Sequence, residues 1–279
     1  MNSKKIYLLA LLPFAVLIVF YEIIPIIMVV VRSFMPAGSF GFTLEHFEKI
    51  FSSRFYQQSI VNSVMVSIGS SLIGLFIAFW GAKAANASKS KLRTYFLSIL
   101  NMTSNFAGIP LAFAYIILLG NVGVLVMLGK NLGIGILADF RLYTAEGLML
   151  TFVYFQVPLA TMLLIPAFDA LRKEWGESVS LLGGGSFHYY VKIALPVMTP
   201  SILGTLSILF ANALSAYATA YALLLNNYAL LPIRIAEQFS GDVMQQKEFG
   251  SALAVVMMLL MVAAILINHY FIRRQKHRI

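Results

Sequence analysis

Cysteine is absent from the 279 residues, which excludes disulfides, thiol nucleophiles and thiolate metal sites. Charge is scarce too: 11% of residues are Asp, Glu, Lys or Arg, against about 25% in a soluble domain. No HExxH or GxSxG pattern occurs, and His46, His188, His269 and His277 are scattered in loops or near the ends of apolar runs. No catalytic residue and no metal site is therefore assigned, which argues against an intramembrane enzyme. A nucleotide-binding loop is missing as well. In Gly123 to Lys130 five residues separate the glycines where GxxxxGK[ST] has four, and Asn131 stands where that pattern needs a hydroxyl. No cofactor is expected in this chain, and any ATP that drives it must be bound elsewhere.

What the chain has is apolar length. Sixty per cent of residues are hydrophobic and the mean hydropathy is +0.85. Several runs can cross about 30 Å of hydrocarbon at about 1.5 Å per residue. The reading is an all-α, polytopic membrane bundle in a single domain over 1–279, with six spans at about 7–31, 59–82, 95–119, 147–168, 199–225 and 249–272. The first run follows Lys4-Lys5 and is longer than a signal-peptide core of about 7–15 residues, so an uncleaved span is expected. Pro25 inside it removes one helical hydrogen bond and can kink it. Residues 32–58, 120–146 and 226–248 read as outer loops, and 169–198 as a polar segment between the fourth and fifth spans. Thr199-Pro200 reads as the start of the fifth span, threonine as cap and proline in the first turn.

With the N-terminus inside, 13 of the 20 basic residues fall on inner segments and 7 on outer ones, whereas acids divide 3 inside to 7 outside with Glu22 in a span. This asymmetry places both termini on the cytoplasmic side. It also explains the net charge of +9 without nucleic acid.

Polar side chains within spans normally face the bundle or a wet cavity. In the fifth span Asn212, Ser215 and Thr219 follow at steps of three and four, with Tyr217 and Tyr221 on a neighbouring face. Asn62, Asn105 and Gln156 on other spans can converge with them. These eight residues are the candidate translocation path, and interhelical hydrogen bonding is the competing reading. Ser63, Ser67, Ser71, Gly74, Ala78 and Ala82 form one small-residue stripe along the second span, a helix-packing face or a path lining. Glu22 lies in the outer half of its span, where it reaches the interface or meets a cationic solute.

The polar segment is informative. Leu171, Trp175, Val179 and Leu182, at steps of four, four and three, give a helix one apolar face, although Gly176 costs about 1 kcal/mol relative to alanine. Gly183-Gly184-Gly185 permits a turn with positive φ. Ser186 can cap a second short helix, FHYYVKI, ending before Pro196. Such a hairpin suits either a groove on a soluble partner or the lipid surface.

The spacing Glu177-Ser178-Val179, Gly183, Ile193, Leu195-Pro196 resembles the EAA loop of bacterial ABC importer permeases, E-A-A, three residues, G, nine residues, I-x-L-P, with both alanines replaced. LLPFAVLIVFYEIIPIIMVVVRSF, FGFTLEHFEKIF and NALSAYATAYALL look like the first span, outer segment and fifth span of the polyamine-type (spermidine/putrescine) permeases. The resemblance implies the type I ABC importer fold and a place in the bacterial cytoplasmic membrane. The implied partners are a second, similar or identical permease, two ABC ATPase subunits holding ATP and Mg, and an extracytoplasmic substrate-binding protein. Glu177, Ser178, Val179, Gly183, Ile193, Leu195 and Pro196 would form the ATPase-coupling loop. The solute would be small and polar, with a polyamine first and phosphonate, iron, thiamine or sugar phosphate as alternatives. A secondary transporter or channel without an ATPase is the reading of another class; it would want charged residues along the spans, and only Glu22 is there.

Overall fold

The computed structural model describes residues 3–88, 91–225, 228–240 and 245–276. Every regular element among them is helical. In chain order they are α1 (Ser3–Ile18), a π-helical turn (Val19–Ile23), α2 (Ile24–Ser33), α3 (Glu45–Ser52), α4 (Arg54–Ala87), α5 (Lys91–Ser104), α6 (Ile109–Leu119), α7 (Val124–Leu132) and α8 (Gly135–Ala138). Then come α9 (Ala145–Asp169), α10 (Lys173–Leu181), α11 (Ser186–Tyr189), a second π-helical turn (Tyr190–Ala194), α12 (Leu195–Leu214), α13 (Tyr217–Leu224), α14 (Leu231–Ser240) and α15 (Lys247–Lys276). Six stretches are long and apolar enough to span a membrane: Leu11–Ser33, Arg54–Ala87, Ile109–Leu132, Ala145–Asp169, Ser186–Leu214 and Lys247–Arg274.

The differences from the expected boundaries have local causes. Both π turns precede a proline by one residue. Ile24 and Leu195 donate to the carbonyls of Val19 and Tyr190, five residues back, and the widened turn accommodates Pro25 and Pro196 without ending the helix. Hence the helix expected to stop before Pro196 continues into the fifth span. Thr199 is no cap; its hydroxyl donates to the Leu195 carbonyl at 2.7 Å within that helix. The third span, expected unbroken over 95–119, is interrupted between Ser104 and Ile109, and the fifth between Leu214 and Tyr217. The segments expected as outer loops also contain helices, α3 in 32–58, α7 and α8 in 120–146 and α14 in 226–248, and α7 falls within the third span-long stretch, Ile109–Leu132, which lies later in the chain than the expected 95–119.

The chain divides into two compact units, residues 1–60 with 231–259, and 61–230 with 260–279. In the smaller unit, the first span buries none of its apolar window. Phe249 is fully packed, with His46 and Tyr56 edge-on and the Lys49 ammonium 4.6 Å from its ring centre. Buried Arg234 pairs with both Glu237 oxygens at 2.8 and 2.9 Å and lies over Phe55.

In the larger unit α9 is the pillar, with 61% of its apolar window buried. Thr144 caps it by accepting from the Gly147 N–H. Ala78, Ala82 and Ala85 of α4, Leu164 and Phe168 of α9, and Met198 and Leu209 of α12 share one apolar cluster. Every member of the stripe from Ser63 to Ala82 is buried, and a Cβ on Gly74 would sit 3.1 Å from the Gln156 Cβ. With no apolar force between helices in lipid, such backbone approach supplies the attraction as dispersion contact. Asn268 of α15 donates to the Leu203 carbonyl and the Ser207 hydroxyl of α12. Gly74→Leu is expected to force α4 from α9 at a cost of about 1–3 kcal/mol, read as a lower melting temperature of the solubilised protein; Gly204→Leu, at a position with open space beside it, should leave that temperature unchanged.

Candidate functional site

Two interrupted helices meet in the larger unit. At the first interruption, side chains compete for the carbonyls that would continue the helix: Ser104 Oγ and Asn105 Nδ2 both donate to the Asn101 carbonyl, at 2.9 and 2.8 Å. Gly108 then takes φ +76°, a conformation costly for other residues, and Pro110 sits in the first turn of α6. At the second, the Ser215 hydroxyl donates to the Ala211 carbonyl at 2.9 Å. Ala216, at φ −74° and ψ 65°, makes an inverse γ-turn closed by the Tyr217 N–H on the Ser215 carbonyl.

One hydroxyl joins the two. Thr219 Oγ1 accepts from the Gly108 N–H at 3.0 Å and donates to the Gly108 carbonyl at 3.2 Å. It thereby gives the N–H of the α6 N-cap its acceptor, and gives the carbonyl, which also accepts from the Ala112 N–H at 3.2 Å, a second donor. In hydrocarbon an irregular backbone persists only where its polar groups find such partners or line a cavity. Here both conditions hold: a cleft of about 400 Å³ opens between the breaks, lined by Ser104, Gly108, Phe155, Asn212, Ser215, Tyr217 and Thr219 among others.

Four of the eight candidate path residues, Asn212, Ser215, Tyr217 and Thr219, line this one cleft. Tyr221 stacks on Tyr217 with centroids 5.3 Å apart and rings inclined at 24°, extending the aromatic surface. Asn105 lies at the first break but is exposed and bonded back to Asn101. Gln156 and Asn62 act between elements instead. Gln156 is fully buried and donates to Ser70 Oγ at 2.9 Å, its Oε1 lacking a partner, and Asn62 donates to the Ala229 carbonyl at 3.0 Å. Ser104 and Phe155 have no spacing signal that marks them for the cleft, whereas Gly108 beside Pro110 is readable as a helix start.

The second feature is the segment between α9 and α12. Helix α10 ends in a Schellman motif: Gly183 takes φ +78°, its N–H donates to the Ser180 carbonyl at 3.1 Å, and the Gly184 N–H donates to Val179 at 2.8 Å. Leu171, Trp175 and Val179 are half-buried, while Leu182, expected on the same face, is 88% exposed because the chain has already begun to turn. Leu181 is equally exposed and Phe187 is 77% exposed. Glu177 and Ser178 are exposed on α10, and the Ser178 hydroxyl donates to the Glu174 carbonyl. Ile193, in the π turn, and Pro196 are half-buried, and Leu195 is exposed, all three in one continuous helix leading into the fifth span.

The sequence model of the family described as "Binding-protein-dependent transport system inner membrane component" matches residues 70–277. The thiamine transport system permease protein of Escherichia coli (strain K12) is 25% identical over 154 residues, covering 55% of this chain and 28% of that protein. The alpha-glucoside transport system permease protein of Rhizobium meliloti (strain 1021) is 27% identical over 161 residues, covering 58% and 39%. The matches thus span well under half the length of these relatives. Among solved structures, a chain of a bacterial alginate ABC transporter, in complex with an alginate pentasaccharide-bound periplasmic protein, superposes with TM-score 0.77 at 18% identity over 98% of this chain and 96% of that one. A chain of the MetNI methionine ABC transporter superposes with TM-score 0.55 at 14% identity, covering 80% and 99%. These two likenesses establish the ABC importer permease fold.

Thr219→Val keeps the volume but strips the Gly108 N–H of its acceptor, while the carbonyl keeps the Ala112 N–H, and leaving such a donor unpaired costs about 1–3 kcal/mol. The melting temperature of the purified protein is expected to fall, with recovery in Thr219→Ser. No change in Thr219→Val would mean that the hydroxyl does not hold the two breaks together.

Proposed function

Because the chain belongs to the family of binding-protein-dependent transport system inner membrane components, a family of transporter subunits rather than enzymes, we propose that it is the permease subunit of an ATP-driven importer, coupled through residues 169–198 to a separate ATPase. One observation carries the coupling: a short helix, closed by a glycine turn at φ +78°, presents exposed Leu181, Leu182 and Phe187 between the fourth and fifth spans. Three large apolar side chains at a turn flanked by charged residues fit a hydrophobic groove on a soluble subunit. That subunit would hold ATP and Mg. Two copies of it, a second permease and an extracytoplasmic binding protein complete the assembly. The basic-residue count supports cytoplasmic termini and hence a cytoplasmic docking segment.

The path runs through the cleft between the broken helices, as substrate sites in transporters commonly do. Its lining offers hydroxyls, the Asn212 amide and the Tyr217 phenol and contains no carboxylate. This chemistry suits an uncharged, hydroxyl-rich solute, the class to which the alpha-glucoside named for one relative belongs. The resemblance of the first span and outer segment to polyamine-type permeases supports a polyamine instead; a polyamine would have only the tyrosine ring faces to meet its charge here. In the proposed cycle, closure of the ATPase dimer draws the docked segments together and opens the path outward, where the binding protein releases solute; hydrolysis restores the inward-facing state. On the outer side, a crevice of about 710 Å³ lined by Glu45, His46, Lys49, Lys247, Glu248 and Phe249 offers the binding protein a charged rim.

Gly183→Val should abolish solute-stimulated ATP turnover in the reconstituted transporter while the protein still inserts. No atom lies within 4 Å of a Cβ there, so only positive φ penalises valine, and Gly183→Asn, which tolerates that conformation, should retain stimulation. Normal stimulation in Gly183→Val would remove the docking role. The cysteine-free chain allows the topology to be read directly: Ser178→Cys is expected to react with a membrane-impermeant maleimide only after permeabilisation, and Ser39→Cys in intact cells.

A further inference from the structure

Both ends of the docking segment touch the same face of α4, and the start is also held by α5. At its start, Asp169, the last residue of α9, receives Asn86 Nδ2 at 2.6 Å and Arg93 Nη2 at 2.9 and 3.1 Å. At its end, Tyr190 opens the π turn that leads into α12, and the Lys83 ammonium lies 4.2 Å from its ring centre and 5.0 Å from that of Trp80. Lys83 and Asn86 are three residues apart on α4 and therefore neighbours on its surface.

The two attachments differ in kind. On Asp169 one charge-assisted hydrogen bond from Asn86 of α4, braced by two from Arg93 at the start of α5, defines distance and direction. The ring face of Tyr190 attracts the ammonium without a preferred azimuth, so that end can slide or rotate and stay attached. Neither is suited to stabilise the fold. The Arg93 and Asp169 side chains are 28% and 45% exposed, a setting in which ion pairs contribute little, and Lys83 is only half-buried. What the pair does supply is a connection from a segment with an exposed apolar tip to α4, whose small-residue stripe lies against α9.

We propose that Lys83 and Asn86 form a two-point clamp, rigid at Asp169 and sliding at Tyr190, through which movement of the docking segment is passed to α4. Lys83 is thus a positioning residue for coupling. The inference rests on the ATPase docking proposed above.

The test uses the complete transporter in liposomes, with its ATPase and its binding protein loaded with solute, and reads the ratio of stimulated to basal ATP turnover together with the melting temperature. Lys83→Met is expected to lower the ratio about tenfold, the order of change that losing two cation–ring contacts produces, while basal turnover and melting temperature stay at wild-type values. Lys83→Arg and Tyr190→Phe should keep the ratio. Tyr190→Leu should lower it, and Lys83→Met with Tyr190→Leu should be no worse than the more affected single variant. Wild-type coupling in Lys83→Met, or losses that multiply in the double variant, would overturn the clamp and leave docking intact. A wild-type chain that assembles with no ATPase would overturn the docking itself, and the clamp with it.

Discussion

In a bilayer, a peptide group that leaves its helix must find a partner inside the protein, because no water is at hand to supply one. That constraint explains why the interruptions at 105–108 and 215–216 come together. The first exposes the peptide groups of Gly108, and the Thr219 hydroxyl, beside the second, serves both the N–H and the carbonyl. The local bonds of Ser104, Asn105 and Ser215 to preceding carbonyls complete the set. The polar lining of the cleft is thus first what an interrupted backbone in hydrocarbon requires.

The same physics separates two kinds of polar residue. Gln156 and Asn62 are spent on contacts between elements, with Ser70 and the Ala229 carbonyl. Asn212, Ser215 and Tyr217 retain faces toward the cleft. Helical spacing groups the residues of the fifth span but says nothing of which neighbour meets Asn62 or Gln156, since that depends on contacts between residues 86 and 167 positions apart.

The membrane character, the six spans and the glycine turn were legible because each depends on local composition: apolar run length, and a residue able to take φ +78°. The breaks were less legible. Pro110 and Pro200 carry the same sequence signal, yet a helix starts at the first, after the break at 105–108, while α12 runs through the second. Lys83 also escaped notice as anything but a basic residue on the inner side, since its partner Tyr190 is more than a hundred positions away.

The π turn at Tyr190–Ala194 has a consequence for the surface ahead of it. The bond from the Leu195 N–H to the Tyr190 carbonyl spans one residue more than an α-helical bond does, and one residue is about 100° of helical rotation, so everything N-terminal to Tyr190 is turned by up to about that angle relative to an unbroken α-helix. Phe187 therefore faces where it does because of Pro196, nine residues downstream and at the threshold of the membrane. The compass bearing of the exposed apolar tip is written in the span, so a substitution of that proline that lets the helix relax would re-aim Leu181, Leu182 and Phe187 without altering any of the three.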